Sequence, residues 1–183
     1  MASLQQIQSR RKAVKNYAFI DAQNLYLAIK ELGWKIDFKR FRIYLKEKYG
    51  VEKAYMFMGF LPENQELYNF LQTVGFVLIF KPILEVKRDH QKVKGNCDAE
   101  LVLQAMIDYS SYEKAIIVTG DGDFYCLVKY LDANRKLDRV LAPSPQNCSS
   151  LLRKVAGNKI AFVSDLRDKL AYKKKEPHAD GTA

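Results

Sequence analysis

The stretch of sequence that most constrains the fold is residues 115–124, AIIVTGDGDF. An apolar run rich in β-branched residues leads into Thr119 and then into two aspartates, Asp121 and Asp123, each of which follows a glycine. An apolar periodic segment comes directly after them. This pattern predicts a strand, an acidic turn and a helix. In a parallel α/β sheet such a turn lies at the carboxyl ends of the strands, where open sheets bind their ligands.

The same pattern occurs near the start of the chain. The apolar run of residues 17–20 ends at Asp21, and Leu25, Ile29 and Leu32 follow at helical spacing. These residues predict a second strand, acidic turn and helix.

Strands and helices alternate along most of the remaining sequence. Asp37 or a neighbour can cap the next helix, which Tyr49-Gly50 ends, and the last helix is predicted to begin near Asp165 with Ser164 as its cap. The other predicted strands are residues 53–60, 76–80, 139–142 and 160–163, and the other predicted helices are residues 63–73, 97–109, 124–133 and 146–155. Five or six such alternations with short turns predict a three-layer α/β/α sandwich with a mainly parallel central sheet.

Three local details complete this prediction. Residues 83–86 are expected to extend the strand before them or to form a short strand of their own, and Asn96 is expected to cap helix 97–109. The buried face of helix 63–73 is predicted from its apolar spacing to consist of Leu67, Phe70, Leu71 and Val74.

The length and composition fit one domain. A chain of 183 residues of which 48% are hydrophobic can bury a core of ordinary size. We expect a basic N-terminal arm over residues 1–16, a single domain over residues 17–172 and a disordered tail over residues 173–183. No apolar run approaches the roughly 20 residues of a membrane-spanning helix, and the N-terminus lacks the apolar core of a signal peptide. We therefore expect a cytoplasmic protein without a membrane partner.

The three cysteines are widely spaced, and no two of them form a Cys-x-x-Cys pair. Structural zinc and a disulfide framework are therefore not expected.

The formal charge of +9, from 30 basic and 21 acidic residues, is unevenly distributed. Basic residues outnumber acids in the N-terminal arm and over residues 35–48 and 81–94. An excess of this kind favours a polyanionic partner, because each neutralised phosphate releases counterions. Charge alone is also compatible with simple solvated faces.

Carboxylates recur where strands end or helices begin. Asp21 and Asp121 are expected at the same edge of a parallel sheet, and the predicted start of helix 97–109 can bring Asp98 to face them, with Asp123 close by. Two carboxylates about 4 Å apart repel by roughly 1 kcal/mol in water and by more in a cleft. Because the expected ligands are oxygens with no nearby histidine or cysteine pair, the cluster predicts Mg²⁺ or Mn²⁺.

Other polar residues near these acids have candidate roles. Asn24, about one turn after Asp21, and the hydroxyl of Thr119 can hydrogen-bond a water or a phosphate, and Lys94 can hold a phosphate next to Asp98. Three of these acids also have a purely structural explanation, since Asp98 and Asp123 suit helix N-termini and Asp121 suits a turn.

Several nucleotide and cation motifs are excluded at residues 119–124. An EF-hand would need an oxygen ligand at Tyr125 and glycine at Cys126. The chain has no phosphate-binding Gly-x-x-x-x-Gly-Lys-Ser/Thr, and Gly120-Asp121-Gly122 lacks the third glycine of a dinucleotide fingerprint.

Three blocks of the sequence resemble the signature of a known family. They are residues 19–24, FIDAQN; residues 94–98, KGNCD; and residues 118–124, VTGDGDF. In this order they are similar to NYN-domain proteins, the LabA-like branch of the PIN-like nucleases, over residues 17–163. Cys97 stands where family members more often have a small aliphatic residue. The resemblance implies a PIN-like sandwich and a metal-dependent ribonuclease site.

The resemblance also implies roles for individual residues. It assigns metal binding to Asp21, Asp98 and Asp121, and supporting catalytic roles to Asn24 and Asp123. The residues expected to contact RNA, from the basic segments and the signature blocks, are Lys94, Arg88, Lys92, Arg40 and Thr119.

The leading hypothesis is therefore a Mg²⁺- or Mn²⁺-dependent endoribonuclease. A second hypothesis is a non-catalytic RNA-binding or complex-forming module, either as a homo-oligomer or with a protein partner. A third is a phosphatase of the haloacid-dehalogenase type, although those enzymes usually carry their acidic pair near the N-terminus, where only Asp21 stands here.

Overall fold

A computed structural model of the chain describes residues 15–81 and 96–173. The six strands within these ranges are β1 (Asn16–Asp21), β2 (Val51–Gly59), β3 (Phe76–Lys81), β4 (Ala115–Val118), β5 (Leu137–Ala142) and β6 (Ile160–Phe162). The α-helices within them are α1 (Ala22–Glu31), α2 (Phe38–Tyr49), α3 (Gln65–Thr73), α4 (Asp98–Ile107), α5 (Tyr125–Ala133), α6 (Ser150–Ala156) and α7 (Arg167–Leu170).

The strands form one sheet in the order β3-β2-β1-β4-β5-β6, and all five strand pairs are parallel. The chain moves outward from β1 through β2 to β3, then returns to the other side of β1 to place β4. This reversal creates a switch point between β1 and β4, where open α/β sheets have a ligand-binding crevice at the carboxyl ends of the strands.

Helices cover both faces of the sheet. Side chains of β1 alternate between the two cores: Ala18 and Ile20 pack with α1, α2, α3 and α7, whereas Tyr17 and Phe19 pack with α4, α5 and α6. The strands of such a sheet are buried on both sides, which explains the continuous apolar runs in the sequence. The predicted three-layer α/β/α sandwich is confirmed, with a sheet that is wholly parallel.

Local capping signals explain where α2 begins and ends. The Asp37 carboxylate accepts a hydrogen bond from the backbone N–H of Arg40 at 3.1 Å, as expected of an N-cap residue. Gly50 ends the helix with a left-handed backbone, φ 63°, which a residue with a side chain adopts at a cost.

Several boundaries and faces differ from the predictions. β1 begins at Asn16 rather than after it, because the Asn16 side chain donates to the carbonyl oxygen of Tyr49 and accepts from the N–H of Lys114. Asn96 does not occupy the N-cap of α4; its side-chain oxygen accepts from the N–H of Asp98 two residues on, and Cys97 is the N-cap. Ser164 lies inside a 3₁₀ turn, Val163–Leu166, and does not cap a helix.

The predicted buried face of α3 is partly wrong. Leu71 is buried as expected, but Leu67 and Phe70 are 42% and 45% exposed, and Tyr68 takes the inward position. The spacing alone favoured Leu67 and Phe70 because they lie next to the true face of the helix. In the structure, the Tyr68 ring packs between Phe60 and Phe80, with ring centroids 5.8 and 4.7 Å away.

Some predictions concern residues outside the described ranges. These are most of the N-terminal arm (residues 1–14), the short strand over residues 83–86 and the tail from residue 174. Among the helices of residues 15–81 and 96–173, none combines the length and the apolar character needed to cross a membrane.

Candidate metal centre

Asp21 and Asp121 lie at the carboxyl ends of two adjacent strands, at the switch point. Asp21 is the last residue of β1 and caps α1, accepting a hydrogen bond from the backbone N–H of Asn24 at 3.0 Å. Asp121 follows β4 and caps the 3₁₀ turn Gly122–Phe124, accepting from the N–H of Asp123 at 3.0 Å. The two strands pair in parallel from Tyr17 to Ile20, so their acidic ends meet at one edge.

Asp98 reaches the same edge from the opposite helical layer. It is the first residue of α4, and its N–H is held by the side chain of Asn96 at 2.8 Å. Lys81, the last residue of β3, fixes this entry by donating to the carbonyl oxygen of Asn96 at 2.7 Å and by pairing with Glu100 at 3.3 Å. The start of α4 is therefore tied to a strand end.

Three carboxylates come close enough to share a cation. Asp98, Asp121 and Asp123 each offer an oxygen atom, and these atoms all lie within 4.8 Å of one another. Asp98 and Asp121 are half-buried and Asp123 is exposed. Asp21, predicted as a third ligand, is not in this group, but together with Asp98 and Asp121 it lines the same cavity of about 220 Å³.

The electrostatics of the cavity penalise its own negative charge. Burial, together with the charges of Asp98 and Asp121 and against two hydrogen bonds that lower it, raises the pKa of Asp21 from 3.8 to about 6. Burial also raises the pKa of Asp98, aided by Asp121 and Asp123 and opposed by Asn96 and Lys81. A cation in the cavity would relieve this repulsion.

The hydroxyl of Thr119 links the two strand ends. It donates to Oδ2 of Asp21 at 3.3 Å and accepts from the N–H of Asp121 at 3.1 Å. The Thr119 residue is fully buried. An RNA contact, which the sequence favoured, therefore has no exposed hydroxyl to use in this structure, and the hydroxyl instead holds the acids in place.

Asn24 makes a second link between the strand ends. Its side-chain oxygen accepts a hydrogen bond from the backbone N–H of Gly120 at 2.8 Å. The sequence placed Asn24 near the acids but gave no indication of this contact, which fixes α1 against the turn that carries Asp121.

The two glycines around Asp121 lie against the segment before α6, Gly120 against its backbone and Gly122 against a side chain. A Cβ on Gly120 would lie 1.8 Å from the carbonyl oxygen of Asn147, and one on Gly122 would lie 2.5 Å from Oγ of Ser149. The N–H of Ser149 also donates to the carbonyl oxygen of Gly120 at 2.9 Å. The segment between β5 and α6 thus supports the acidic turn from behind, a role that sequence reasoning missed although the two glycines signalled it.

Comparison with known proteins shows to which family the chain belongs. The family model for the NYN domain matches residues 16–162, which is most of the chain. The chain belongs to the NYN domain family. This membership connects the chain with PIN-like nuclease domains, which act on nucleic acids and usually depend on a metal. The family predicted from the three sequence blocks is confirmed.

One curated relative and one solved structure are similar to this chain. The NYN chain is 27% identical over 129 residues to the low amplitude and bright protein LabA of Synechococcus elongatus, covering 64% of this chain and 67% of the relative. A crystal structure of a protein of unknown function from Vibrio parahaemolyticus superposes with a TM-score of 0.70 at 24% identity. The match covers 87% of this chain and 98% of that one, and it shows a shared fold.

The donor set of this NYN domain suits a hard divalent cation. The acids that meet at the cavity supply carboxylate oxygens, and one cysteine, Cys97, lines its wall. Burial, with Glu100, raises the pKa of the Cys97 thiol to about 11 in the metal-free protein. Oxygen donors without thiolate or imidazole favour Mg²⁺ or Mn²⁺ over zinc.

The residues expected to contact RNA are only partly placed. Arg40 lies in the first turn of α2, pairs with Asp37 at 3.4 Å, and does not line the acidic cavity. Arg88, Lys92 and Lys94 lie outside the described residues.

Proposed function

We propose that this NYN domain is a Mg²⁺- or Mn²⁺-dependent endoribonuclease that hydrolyses RNA phosphodiester bonds at the acid cluster. The observation that carries the proposal is the convergence of Asp98, Asp121 and Asp123, whose oxygens lie within 4.8 Å of one another at the switch point of the sheet. Like charges at this spacing are costly without a cation. The family supports a nuclease function, and the net charge of +9 suits a polyanionic substrate.

In this proposal, Asp98, Asp121 and Asp123 hold the cation. A bound divalent ion activates water for attack on phosphorus and stabilises charge on the leaving oxygen. The turn and the start of α4 keep the ligands in position, because each carboxylate is fixed by a backbone hydrogen bond or lies next to one.

Asp21 acts from the deeper wall of the same cavity. Its two hydrogen bonds, from the Asn24 N–H and the Thr119 hydroxyl, fix its orientation. A carboxylate has about four acceptor positions, so these bonds leave Asp21 able to bind the cation or to accept a proton from the attacking water. Asn24 and Thr119 are positioning residues in this scheme.

The test is a cleavage assay with matched variants. Purified protein is incubated with linear and circular RNAs in Mn²⁺, in Mg²⁺ and in EDTA, beside Asp121→Asn and Asp98→Asn. The control is Asp138→Asn, an identical change in β5 near the opposite edge of the sheet. We expect metal-dependent cleavage of both RNAs, and cleavage of the circular RNA identifies an endonuclease. We expect the cleavage rate of the two site variants to fall at least about a hundredfold.

Equal cleavage by wild type and Asp121→Asn would contradict the proposal. Salt-sensitive RNA binding that survives both site substitutions, with no turnover under either metal, would instead support the non-catalytic RNA-binding module.

A further inference from the structure

A second cavity also borders α1 and has no part in the proposed chemistry. This base groove, of about 420 Å³, is lined mainly by aromatic and aliphatic side chains, with two lysines at its margin. Its wall includes Tyr26, Trp34, Phe38, Tyr172, Lys30 and Lys35.

The wall that carries Tyr172 is held by backbone hydrogen bonds. The N–H of Tyr172 donates to the carbonyl oxygen of Lys35 at 2.8 Å, and the N–H of Asp37 donates to that of Leu170 at 2.7 Å. Ile36 and Ala171 pair between them as an antiparallel bridge. Tyr172 is therefore fixed beside α1 although it follows the last helix.

Two tyrosines of the base groove are open to solvent. Tyr26 is 51% exposed and Tyr172 is 63% exposed. Within the described ranges neither ring pairs with another aromatic ring, whereas Phe60, Tyr68 and Phe80 pack on each other. Their faces are thus available to stack on planar groups of a ligand.

The charge of the base groove points to a nucleic acid. Its charged lining residues are Lys30 and Lys35, both exposed, with no acid among the lining residues. Aromatic faces beside cationic side chains are the combination that binds single-stranded nucleic acid, because bases stack on the rings while the backbone follows the positive charge.

The base groove and the metal centre share a helix. Gln23, Asn24 and Leu27 of α1 line the acidic cavity, whereas Tyr26 and Lys30 line the base groove. An α-helix with its side chains is about 10 to 12 Å wide, so a strand at one cavity needs few nucleotides to reach the other.

We propose that the base groove binds unpaired bases of single-stranded RNA beside the scissile phosphate, with Tyr26 and Tyr172 as stacking surfaces and Lys30 and Lys35 at the backbone. The position relative to the scissile phosphate rests on the proposed function. The binding itself does not require turnover.

The test measures binding in EDTA, where no cleavage takes place. Fluorescence anisotropy compares a labelled single-stranded RNA on wild type, on Tyr26→Ala/Tyr172→Ala and on Tyr26→Phe/Tyr172→Phe. The matched control is Tyr130→Ala, at an exposed tyrosine of α5 outside the base groove. We expect at least about a tenfold loss of affinity in the double alanine variant and near wild-type affinity in the phenylalanine variant and the control.

Three results would overturn the inference. They are unchanged affinity of the double alanine variant, failure of the phenylalanine variant to retain binding, and equal competition by a duplex of the same length, whose bases are already stacked. The two proposals fail separately: absent cleavage with a tenfold loss in the alanine variant overturns only the nuclease, and normal cleavage with unchanged binding overturns only the base groove.

Discussion

The side-chain oxygen of Asn24 accepts a hydrogen bond from the backbone N–H of Gly120 at 2.8 Å, joining two signature blocks that are 96 positions apart in sequence. Asn24 is also the donor whose backbone N–H orients Asp21. One residue of α1 therefore fixes the strand end that carries Asp21 and the turn that carries Asp121. The arrangement of the acids depends on this residue even where it touches no ligand.

Removing the Asn24 acceptor should loosen the acidic turn. Asn24→Ala leaves the N–H of Gly120 without a partner, so we expect a loss of about 1 to 2 kcal/mol in the free energy of unfolding and weaker Mn²⁺ binding. Denaturant titration and calorimetry measure the two effects. Asn24→Asp keeps an acceptor and should keep most of the stability when Mn²⁺ is present. If the alanine variant binds Mn²⁺ as tightly as wild type, Asn24 does not position the turn.

The stability of the metal-free protein should fall as pH rises through the titration of Asp21. Its folded pKa of about 6 lies above the ordinary value of 3.8, so the folded state binds the proton more tightly than the unfolded state does. The associated stability is fully present below about pH 4 and is lost as pH passes about 6, by up to about 3 kcal/mol. Denaturant titrations in EDTA from pH 4 to pH 7 measure it.

Asp21→Asn isolates this effect from other titrating groups. The free energy of unfolding of wild type minus that of Asp21→Asn should decline from pH 4 to pH 7 in EDTA, because only wild type carries the Asp21 carboxyl. Saturating Mn²⁺ should oppose the decline, because only ionised carboxylates bind the cation. A difference that stays constant or grows with pH would show that Asp21 does not have a raised pKa.

A methyl group on Gly120 should displace the turn from its support. In Gly120→Ala the new Cβ would meet the carbonyl oxygen of Asn147 at 1.8 Å, and a backbone atom cannot move away as a flexible side chain can. We expect a loss of at least about 2 kcal/mol and impaired Mn²⁺ binding. The measurements are thermal unfolding and calorimetry.

Gly157→Ala is the matched control. Its Cβ meets nothing within 4 Å, but its φ of 55° with ψ of −126° disfavours a side chain, so it should cost about 1 to 3 kcal/mol and leave Mn²⁺ binding unchanged. If both alanine variants lost Mn²⁺ binding equally, the close approach at Gly120 would not be the cause.

The sequence was sufficient for features that local patterns determine. The apolar runs before Asp21 and up to Val118 predicted strands at the correct places. Strands that are buried on both faces of a sheet appear in the sequence as continuous apolar runs, which are easy to recognise. Parallel pairing then brought Asp21 and Asp121 to one edge, as expected.

Features that depend on where individual side chains point were harder to predict from the sequence. The resemblance assigned metal binding to Asp21 and a supporting role to Asp123, and this assignment stays a prediction. The sequence did not indicate that an oxygen of Asp123 lies within 4.8 Å of oxygens of Asp98 and Asp121. Thr119 shows the same limit, since the sequence suggested a hydrogen bond to a water or a phosphate, whereas its residue is fully buried after β4. Tertiary contacts determine these side-chain positions, and no local sequence pattern indicates them.

The pairing of β4 with β1 also bears on how the chain folds. Synthesis delivers Asp21 early, yet its buried surroundings require β4, which comes much later in the chain. Long-range pairing of this kind closes after local helices form. A fragment that ends between Asp98 and Ala115 has Asp21 and Asp98 but lacks β4 and Asp121, so the repulsion among the acids is complete only once β4 has joined the sheet. A divalent ion bound by the acids would then stabilise the closed sheet.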